Sequence, residues 1–175
     1  CVSSDVKQAG DLVYIVGETN DECGASEYYQ QLGITEGLVP KVNAKIAKAR
    51  YNRISQATEA QLIQSIHDCS DGGLAVTLAE TAFGGGLGLD INIAKPFKQS
   101  GIPIDSFLFS ESQSRFVITV KKEHQAAFEA LMAGDLVYQV GLVSEDPDLV
   151  INNHQELVLK ENTLNLKKSW KKTLN

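Results

Sequence analysis

Acidic residues and glycines are concentrated in the segment SIHDCSDGGLAVTLAE, residues 65–80. An apolar run leads into His67 and Asp68, and a run with apolar residues at helical spacing follows Gly72 and Gly73. If a strand ends near Asp68 and a helix begins near Gly72, the free amides of the first helical turn and the positive end of the helix dipole face the same space. Because a helix start of this kind binds phosphate groups, we expect Gly72 and Gly73 to belong to a phosphate-binding corner.

The carboxylates of Asp68 and Asp71 would repel a phosphate unless a cation lies between them. Mg²⁺ is the most suitable cation, because proteins hold it through one or two carboxylates together with phosphate oxygen atoms. We therefore expect Asp68, or Asp71 in its place, to be a metal ligand, with His67 beside them in the binding site. The alternative is that Ser70 or Asp71 is only the N-cap of the helix, that the glycines only permit a tight turn, and that His67 is structural.

A second polar cluster, LFSESQSRF, comes immediately before an apolar strand. As a site, its side chains Glu111, Ser112, Gln113 and Arg115 would bind a nucleotide or a substrate. As a structural element, it is a polar turn with serine caps and a surface ion pair of Arg115. A third cluster, ECGASEYY, could hold an anion on its exposed amides and hydroxyls, although a helix start is the commoner outcome.

The composition is that of an acidic protein with one hydrophobic core. The chain has 175 residues, 43% of them hydrophobic, and a formal net charge of -6. This length predicts one domain over residues 1–175, and a first residue other than Met suggests a fragment of a longer enzyme. The acidic charge argues against a nucleic-acid partner. No apolar run approaches the roughly 20 residues of a membrane span and no secretion signal opens the chain, so we expect a cytoplasmic protein without a membrane partner.

The spacing of apolar residues predicts the secondary structure. Strands are expected from Leu12 to about Gly17, over 87–93, and at RFVITV, DLVYQVGLV, DLVIN and ELVLK. Helices are expected over 42–54 and 60–66, from the glycine corner to 84–86, through KKEHQAAFEALMAG to Gly134, and at LNLKKSWKKTL. The segment AKPFKQSGIPID is expected to be a loop. Because the strands alternate apolar and polar residues, we predict an α+β fold with helices layered on a β-sheet, and not a doubly wound parallel sheet.

Five segments together resemble the C-terminal domain of the second synthetase repeat in the phosphoribosylformylglycinamidine synthase family. These segments are GDLVYIVGET, GASEYY, IHDCSDGGLAVTLAE, GLGLDINI and LFSESQSRFVITV. The strings Ser-Asp-Gly-Gly-Leu and Leu-Phe-Ser-Glu-Ser are specific to this family, whereas the fold is shared with aminoimidazole ribonucleotide synthetase, selenophosphate synthetase and hydrogenase-maturation relatives. The resemblance covers nearly the whole chain and implies a mixed, layered sheet with partial ferredoxin-like topology.

The resemblance also implies a reaction in which this part of the enzyme takes part. In the family, ATP activates the amide oxygen of formylglycinamide ribonucleotide as an iminophosphate, and ammonia from glutamine displaces the phosphate. The implied cofactors are Mg²⁺ and ATP or ADP. The implied partners are the N-terminal synthetase domains of the same enzyme, a glutaminase domain or subunit, and a small-molecule substrate. Because the ATP-binding partner domain and the catalytic histidine lie elsewhere in the family, the fragment is expected to be inactive alone and to hold no catalytic residue.

Two departures from the family pattern affect this interpretation. Cys23, Gly24 and Ala25 stand where the family usually has two glycines before Ser-Glu-Tyr. Gln113 replaces a commoner Pro or Ala, which makes the string SESQ resemble the substrate-contacting string of the first repeat. The alternative function is a non-catalytic packing module, or an auxiliary nucleotide-binding module, of a related ATP-dependent synthetase of the selenophosphate or hydrogenase-maturation type.

Overall fold

Strand β1 (Leu12–Val16) lies in the interior of the sheet, and every one of its residues is buried. It pairs antiparallel with β4 (Phe116–Val120) on one side and with β5 (Val137–Ser144) on the other. Because its side chains are aliphatic or aromatic, both faces of the strand can be covered by apolar groups. The computed structural model that shows this arrangement describes residues 2–172.

Four further strands extend this centre into a seven-stranded sheet. They are β2 (Ile63–Asp68), β3 (Gly88–Asn92), β6 (Asp148–Asn153) and β7 (Glu156–Asn162). Across the sheet the order is β2-β4-β1-β5-β3-β6-β7. Neighbouring strands are antiparallel except β3 and β6, which run parallel. The mixed sheet, with helices layered on it, confirms the predicted α+β class.

The described part of the chain also contains seven α-helices. They are α1 (Glu27–Leu32), α2 (Ala44–Glu59), α3 (Gly73–Gly85), α4 (Ala94–Ser100), α5 (Ile104–Phe109), α6 (Gln125–Leu131) and α7 (Thr163–Lys172). A short 3-10 helix, Lys122–His124, precedes α6. The last part of the helix predicted at LNLKKSWKKTL, residues 173 and 174, lies outside the described residues. Between residues 2 and 172, no helix is both long enough and apolar enough to cross a membrane.

Helices cover both faces of the sheet at β1. Val13 and Ile15 belong to a core cluster that includes the buried face of α3, whereas Tyr14 belongs to a second cluster with Phe128 of α6. The ring centroids of Tyr14 and Phe128 are 4.9 Å apart. Successive side chains of a strand point to opposite faces, so the alternation along β1 divides its residues between the two clusters. This division explains why β1 shows no exposed position.

Helix α3 agrees closely with the sequence prediction. Leu74, Leu78 and Ala82 recur along one side of the helix and are fully buried. The helix ends at Gly85, and Gly86 follows in the left-handed conformation with φ of 73°. Glycine adopts that conformation without a steric penalty, so the predicted stop at residues 84–86 is confirmed.

Residues 60–66 do not form a helix, and this prediction was wrong. Helix α2 ends at Glu59, and β2 begins at Ile63. Ile63 and Ser65 are buried, and the residue between them is less so, which is the alternation of a strand. A short apolar run is compatible with a helix and with a strand almost equally well. Here the run forms a strand because it pairs with β4.

The segment AKPFKQSGIPID is not a loop, and this prediction was also wrong. It contains α4 and the start of α5, and Gly101 between them is left-handed with φ of 67°. Pro96 lies in the first turn of α4, where its missing amide hydrogen removes no intrahelical hydrogen bond. The proline and the glycine therefore mark the beginning and the end of a helix.

Candidate functional site

The predicted strand-to-helix corner is present between β2 and α3. Strand β2 ends at Asp68, and Gly72 is the N-cap of α3 with φ of 76°. No side chain caps this helix, which contradicts the alternative in which Ser70 or Asp71 is the N-cap. The left-handed backbone at Gly72 explains the difference, because a cap residue with a side-chain acceptor normally has an extended backbone.

The carboxylate of Glu111 binds the amide groups at the starts of two helices. Its Oε1 atom accepts a hydrogen bond of 2.9 Å from the amide of Gly72 and one of 3.0 Å from the amide of Glu27. Glu27 is the first residue of α1, whose N-cap is Ser26. A negative charge is favourable at a helix start, so Glu111 joins the corner to the segment GASEYY.

Both glycine amides of the corner donate to oxygen atoms of the protein. The amide of Gly72 donates to Glu111, and the amide of Gly73 donates to the carbonyl oxygen of Ser70 at 3.0 Å. A Cβ atom on Gly73 would lie 2.5 Å from the carbonyl oxygen of Ser110, so this close approach requires glycine. A phosphate bound to these two amides would therefore have to replace Glu111 and Ser70 as acceptors.

Ser112 lies inside a network that links its loop to the residues after β1. Its side chain is buried, and its Oγ atom donates to Glu22 Oε2 at 2.8 Å. It also accepts from the amide of Asn20 at 3.0 Å, and it lies 3.0 Å from the Oγ atom of Ser110. Ser112 therefore fixes the relative positions of two loops.

Arg115 is fully buried, which contradicts the alternative of a surface ion pair. Its Nη1 atom donates to Thr19 Oγ1 at 2.8 Å, and its Nη2 atom donates to the carbonyl oxygen of Ser110. Burial lowers the pKa of the guanidinium group, because the charged form loses its hydration. Arg115 thus holds the loop from its interior side and does not face solvent.

Gln113 is the predicted site residue that faces an open cleft. Its side chain is exposed, and its Nε2 atom donates to the carbonyl oxygen of Glu111 at 3.2 Å. The cleft has a volume of about 630 Å³. Its polar lining residues include Glu18, Asn20, Glu22, Lys41, Asn43, Lys45, Arg50, Gln113 and Ser114. Amide, ammonium and carboxylate groups in one cleft can bind a polar ligand with several hydrogen-bonding groups.

The remaining predicted residues, Asp68, Asp71 and His67, differ in their surroundings. Asp68 and Asp71 are exposed at the corner. His67 instead faces the third turn of α3, with Nδ1 3.2 Å from Thr81 Oγ1 and Nε2 3.5 Å from Glu80 Oε2. The structure therefore brings the two aspartates to the corner and turns the histidine side chain toward the helix.

The fit of Mg²⁺ depends on oxygen atoms from a ligand. Within residues 2–172, no three His, Cys, Asp or Glu side chains are placed to hold a metal ion. Mg²⁺ bound together with phosphates needs only one or two carboxylates, because phosphate oxygen atoms and water complete its coordination. The exposed carboxylates of Asp68 and Asp71 meet this smaller requirement.

A buried ion pair that sequence analysis missed supports the same loop. Arg50 donates through Nε and Nη2 to the carboxylate of Asp135, with the shortest distance 2.6 Å, and the two side chains are 3% and 5% exposed. Its Nη1 atom donates to the carbonyl oxygen of Ser114 at 2.7 Å. Ser114 has φ of 60°, and Tyr51 OH lies 2.7 Å from its Oγ atom. One signal could have revealed Arg50, which lies on the buried side of α2 with Ala47, Ile54 and Ala57.

The mixed sheet with helices on both faces is a domain fold that several solved proteins share. Thermotoga maritima PurL complexed with FGAR matches 94% of this chain and 29% of that chain, with 18% identity and a TM-score of 0.84. PurLQS from Thermotoga maritima matches 94% of this chain and 27% of that chain, with 19% identity and a TM-score of 0.74. The hydrogenase maturation protein HypE in complex with ATP matches 94% of this chain and 55% of that chain, with 15% identity and a TM-score of 0.61.

A sequence profile gives the more specific assignment. Residues 8–152 match the profile of the AIR synthase related protein, C-terminal domain. The chain belongs to this family. This confirms the prediction that the chain is a C-terminal domain of the AIR synthase related type. It spans less than a third of the Thermotoga maritima chains, and at these identities the structural likeness concerns the fold.

Proposed function

We propose that this chain is the C-terminal domain of the second synthetase repeat of a phosphoribosylformylglycinamidine synthase. That enzyme converts formylglycinamide ribonucleotide to formylglycinamidine ribonucleotide, using ATP and ammonia released from glutamine. The domain contributes binding contacts, and the N-terminal synthetase domains contribute the ATP site and the catalytic histidine. A glutaminase domain or subunit supplies the ammonia.

The observation that carries the proposal is the double hydrogen bond to Glu111. Its Oε1 atom accepts the amides of Gly72 and Glu27, and these three residues lie in three of the segments that resemble the synthase family. If the three sequence segments resembled the family only by chance, there would be no reason for their residues to bond to the same oxygen atom. Their meeting supports a single binding region built from all three.

Gln113 and the cleft beside it are proposed to contact the substrate. Lys41 and Lys45 line the same cleft, and their ammonium groups suit the phosphate of a ribonucleotide. Asp68 and Asp71 would hold Mg²⁺ at the corner together with nucleotide phosphates. Bound there, Mg²⁺ neutralises the charge of the phosphate oxygen atoms and so permits carboxylates beside them. His67 and Arg115 support this region through α3 and the loop, respectively.

The test is a kinetic comparison in the full-length enzyme. Gln113→Ala is expected to raise the KM for formylglycinamide ribonucleotide about tenfold, which corresponds to the loss of one good hydrogen bond. Gln139→Ala, which changes an exposed glutamine of β5, is the matched control and should leave KM unchanged. An unchanged KM in both variants would contradict the proposed substrate contact.

Two further measurements separate this function from the alternative. The isolated 175-residue chain is expected to form no product from formylglycinamide ribonucleotide, ATP and ammonia. Calorimetric titration of the chain with ATP, ADP and that ribonucleotide, with and without Mg²⁺, reports on binding alone. Two results together would favour the alternative over the proposal. These are no detectable binding heat in any titration, and selenophosphate synthetase or hydrogenase-maturation activity of the full-length protein.

A further inference from the structure

Ser114 has a main-chain conformation that residues other than glycine rarely adopt. Its φ of 60° lies in the left-handed region, and it directly follows Gln113, the exposed residue proposed to contact the substrate. A left-handed serine is unfavourable by itself, so contacts from the surrounding structure must stabilise it. Residues 110–115 are named the Gln113 loop. The contacts of Ser114 therefore help to decide the shape of this loop.

Two consecutive residues of α2 bind Ser114, one at its main chain and one at its side chain. Arg50 Nη1 donates to the carbonyl oxygen of Ser114 at 2.7 Å, and Tyr51 OH lies 2.7 Å from Ser114 Oγ. Rotation of the Ser114 main chain away from its observed conformation would move both of these oxygen atoms relative to α2. The two hydrogen bonds therefore favour the left-handed conformation over the alternatives.

The Arg50 side chain is itself fixed on two sides. Its Nε and Nη2 atoms donate to the buried carboxylate of Asp135, which lies just before β5. Gly17 directly follows β1, and a Cβ atom there would lie 2.8 Å from Arg50 Nη1 and 2.9 Å from the carbonyl oxygen of Ser114. A larger residue at position 17 would push the arginine and the loop apart. Ser114 is therefore held against parts of the fold that cannot move easily.

Helix α2 lines the same cleft as the residue whose loop it holds. Ile46 and Arg50 of α2 line the cleft together with Gln113 and Ser114. The Gln113 side chain donates to the carbonyl oxygen of Glu111 within its own loop, so its position follows the main chain of the loop. A binding group that is already in place loses less conformational entropy when a ligand binds.

We propose that Tyr51 and Arg50 are positioning residues, which keep Ser114 left-handed and thereby hold Gln113 ready for the substrate. Tyr51 acts through Ser114 and does not contact the substrate. The inference rests on the proposed function for the statement that Gln113 contacts formylglycinamide ribonucleotide. If the two residues only braced the fold, their loss would lower stability without a selective effect on the KM for this substrate.

Tyr51→Phe in the full-length enzyme tests the proposal. The change removes one hydroxyl group from a residue that is 47% exposed, so the variant is expected to fold with a melting temperature within about 2 °C of the unaltered enzyme. The KM for formylglycinamide ribonucleotide should rise about threefold, whereas kcat and the KM for ATP should change less than about twofold. Ser55→Ala removes an exposed hydrogen bond to Glu59 on the same helix and is the matched control.

A double variant shows whether Tyr51 acts through Gln113. In Gln113→Ala, the addition of Tyr51→Phe should leave the KM for formylglycinamide ribonucleotide unchanged, because the group that Tyr51 positions is already absent. A further rise of about threefold would mean that Tyr51 affects the substrate by another route. An unchanged KM in Tyr51→Phe alone, with a lower melting temperature, would mean that Tyr51 only braces the fold. Either result would overturn the proposal.

Crystal structures of the unaltered enzyme and of Tyr51→Phe give a readout that does not depend on turnover. In the variant we expect Ser114 to leave the left-handed region in part of the molecules and the Gln113 side chain to take a second position. An identical Gln113 loop in the two structures would contradict the positioning role. If the loop changes but Gln113→Ala leaves the KM for formylglycinamide ribonucleotide unaltered, then the positioning stands and the proposed substrate contact fails.

Discussion

Glu111 and Gly72 are joined by a hydrogen bond of 2.9 Å between a side-chain carboxylate oxygen and the main-chain amide that begins α3. The same oxygen accepts the amide of Glu27 at the start of α1. One carboxylate thus replaces the acceptors that two helix ends would otherwise take from solvent or from a ligand. Glu111 is therefore important for stability as well as for the proposed site.

Replacing Glu111 is expected to destabilise the protein. Glu111→Ala should lower the free energy of unfolding by about 1–2 kcal/mol, because two amides lose their acceptor. Glu111→Gln keeps an oxygen acceptor and should lose less. Gln113→Ala, at the exposed position two residues later, is the control and should stay within about 0.5 kcal/mol of the unaltered protein. Urea denaturation measures all three, and equal stabilities would show that the Glu111 contacts contribute nothing.

Breaking the buried ion pair of Arg50 and Asp135 is predicted to cause the largest loss of stability. Asp135→Asn should lower the free energy of unfolding by about 3–5 kcal/mol, because the Arg50 charge stays buried without its counter-charge. The pair formed by Lys160 and Asp148 is the control, since Lys160 is 57% exposed and its Nζ atom lies 3.2 Å from the carboxylate. Lys160→Met should change stability much less, because solvent screens an exposed pair. Similar losses in both variants would contradict the importance of burial.

Gly73 is predicted to tolerate alanine less well than Gly86 does. Both have a left-handed backbone, with φ of 66° and 73°, so both substitutions cost about 1–2 kcal/mol in backbone strain. At Gly73 the new Cβ atom would also meet the carbonyl oxygen of Ser110 at 2.5 Å, whereas at Gly86 it would meet no described atom within 4 Å apart from those of its neighbours along the chain. Thermal unfolding should show Gly73→Ala to be the less stable variant. The opposite order would mean that α3 can move away from Ser110 at little cost.

Asp11 is predicted to make stability depend on pH. Its carboxyl group is buried, and within residues 2–172 its Oδ2 atom has no hydrogen-bond partner. Burial raises its pKa; nearby Lys121 opposes the shift and Glu123 adds to it. A folded-state pKa above the unfolded value means that the contribution of Asp11 is fully present below the unfolded pKa and is lost as the pH rises through the folded-state pKa. Asp11→Asn should therefore gain stability relative to the unaltered protein as the pH rises from about 4 to about 8.

Asp5 provides the control of opposite sign for that experiment. A hydrogen bond from Lys7, with a smaller contribution from Ser3, lowers the pKa of Asp5 to about 2. The contribution of Asp5 is therefore present above the unfolded pKa and is lost as the pH falls from about 4 toward 2. Relative to the unaltered protein, Asp5→Asn should lose stability as the pH rises from about 2 to about 4, whereas Asp11→Asn should gain stability as the pH rises from about 4 to about 8. Melting curves measured from about pH 2 to about pH 8 test both changes. Changes of the same sign in the two variants would show that neither carboxyl group causes the pH dependence of stability.

Much of the fold could be predicted from the sequence because its patterns are local. The apolar spacing of Leu74, Leu78 and Ala82 and the glycine at 86 are enough to place α3. The alternation in GLGLDINI is enough to place β3. Residues 60–66 and the α4 region were mistaken because a short apolar run has no clear period and because Pro and Gly occur at helix ends as well as in loops.

The site was predicted in composition but not in its contacts. The clusters around Asp71, Glu111 and Ser112 were identified, yet the bond between Glu111 and Gly72 joins positions 39 residues apart. Arg50 and Asp135 are separated by 85 residues, and nothing local in either segment indicates the other. Such pairs depend on how the strands are ordered in the sheet, which the sequence pattern of a single chain does not reveal.

The central position of β1 has a consequence for how the protein is made. β1 ends at Val16, but its two neighbours are synthesised much later, as Phe116–Val120 and Val137–Ser144. At translation rates of about 5–20 residues per second, roughly 5–25 s pass between the synthesis of β1 and the synthesis of both of its neighbouring strands. During that time an entirely apolar strand has two free edges, which is the condition that favours intermolecular pairing. We therefore expect the chain on the ribosome to be more prone to aggregation than the finished protein.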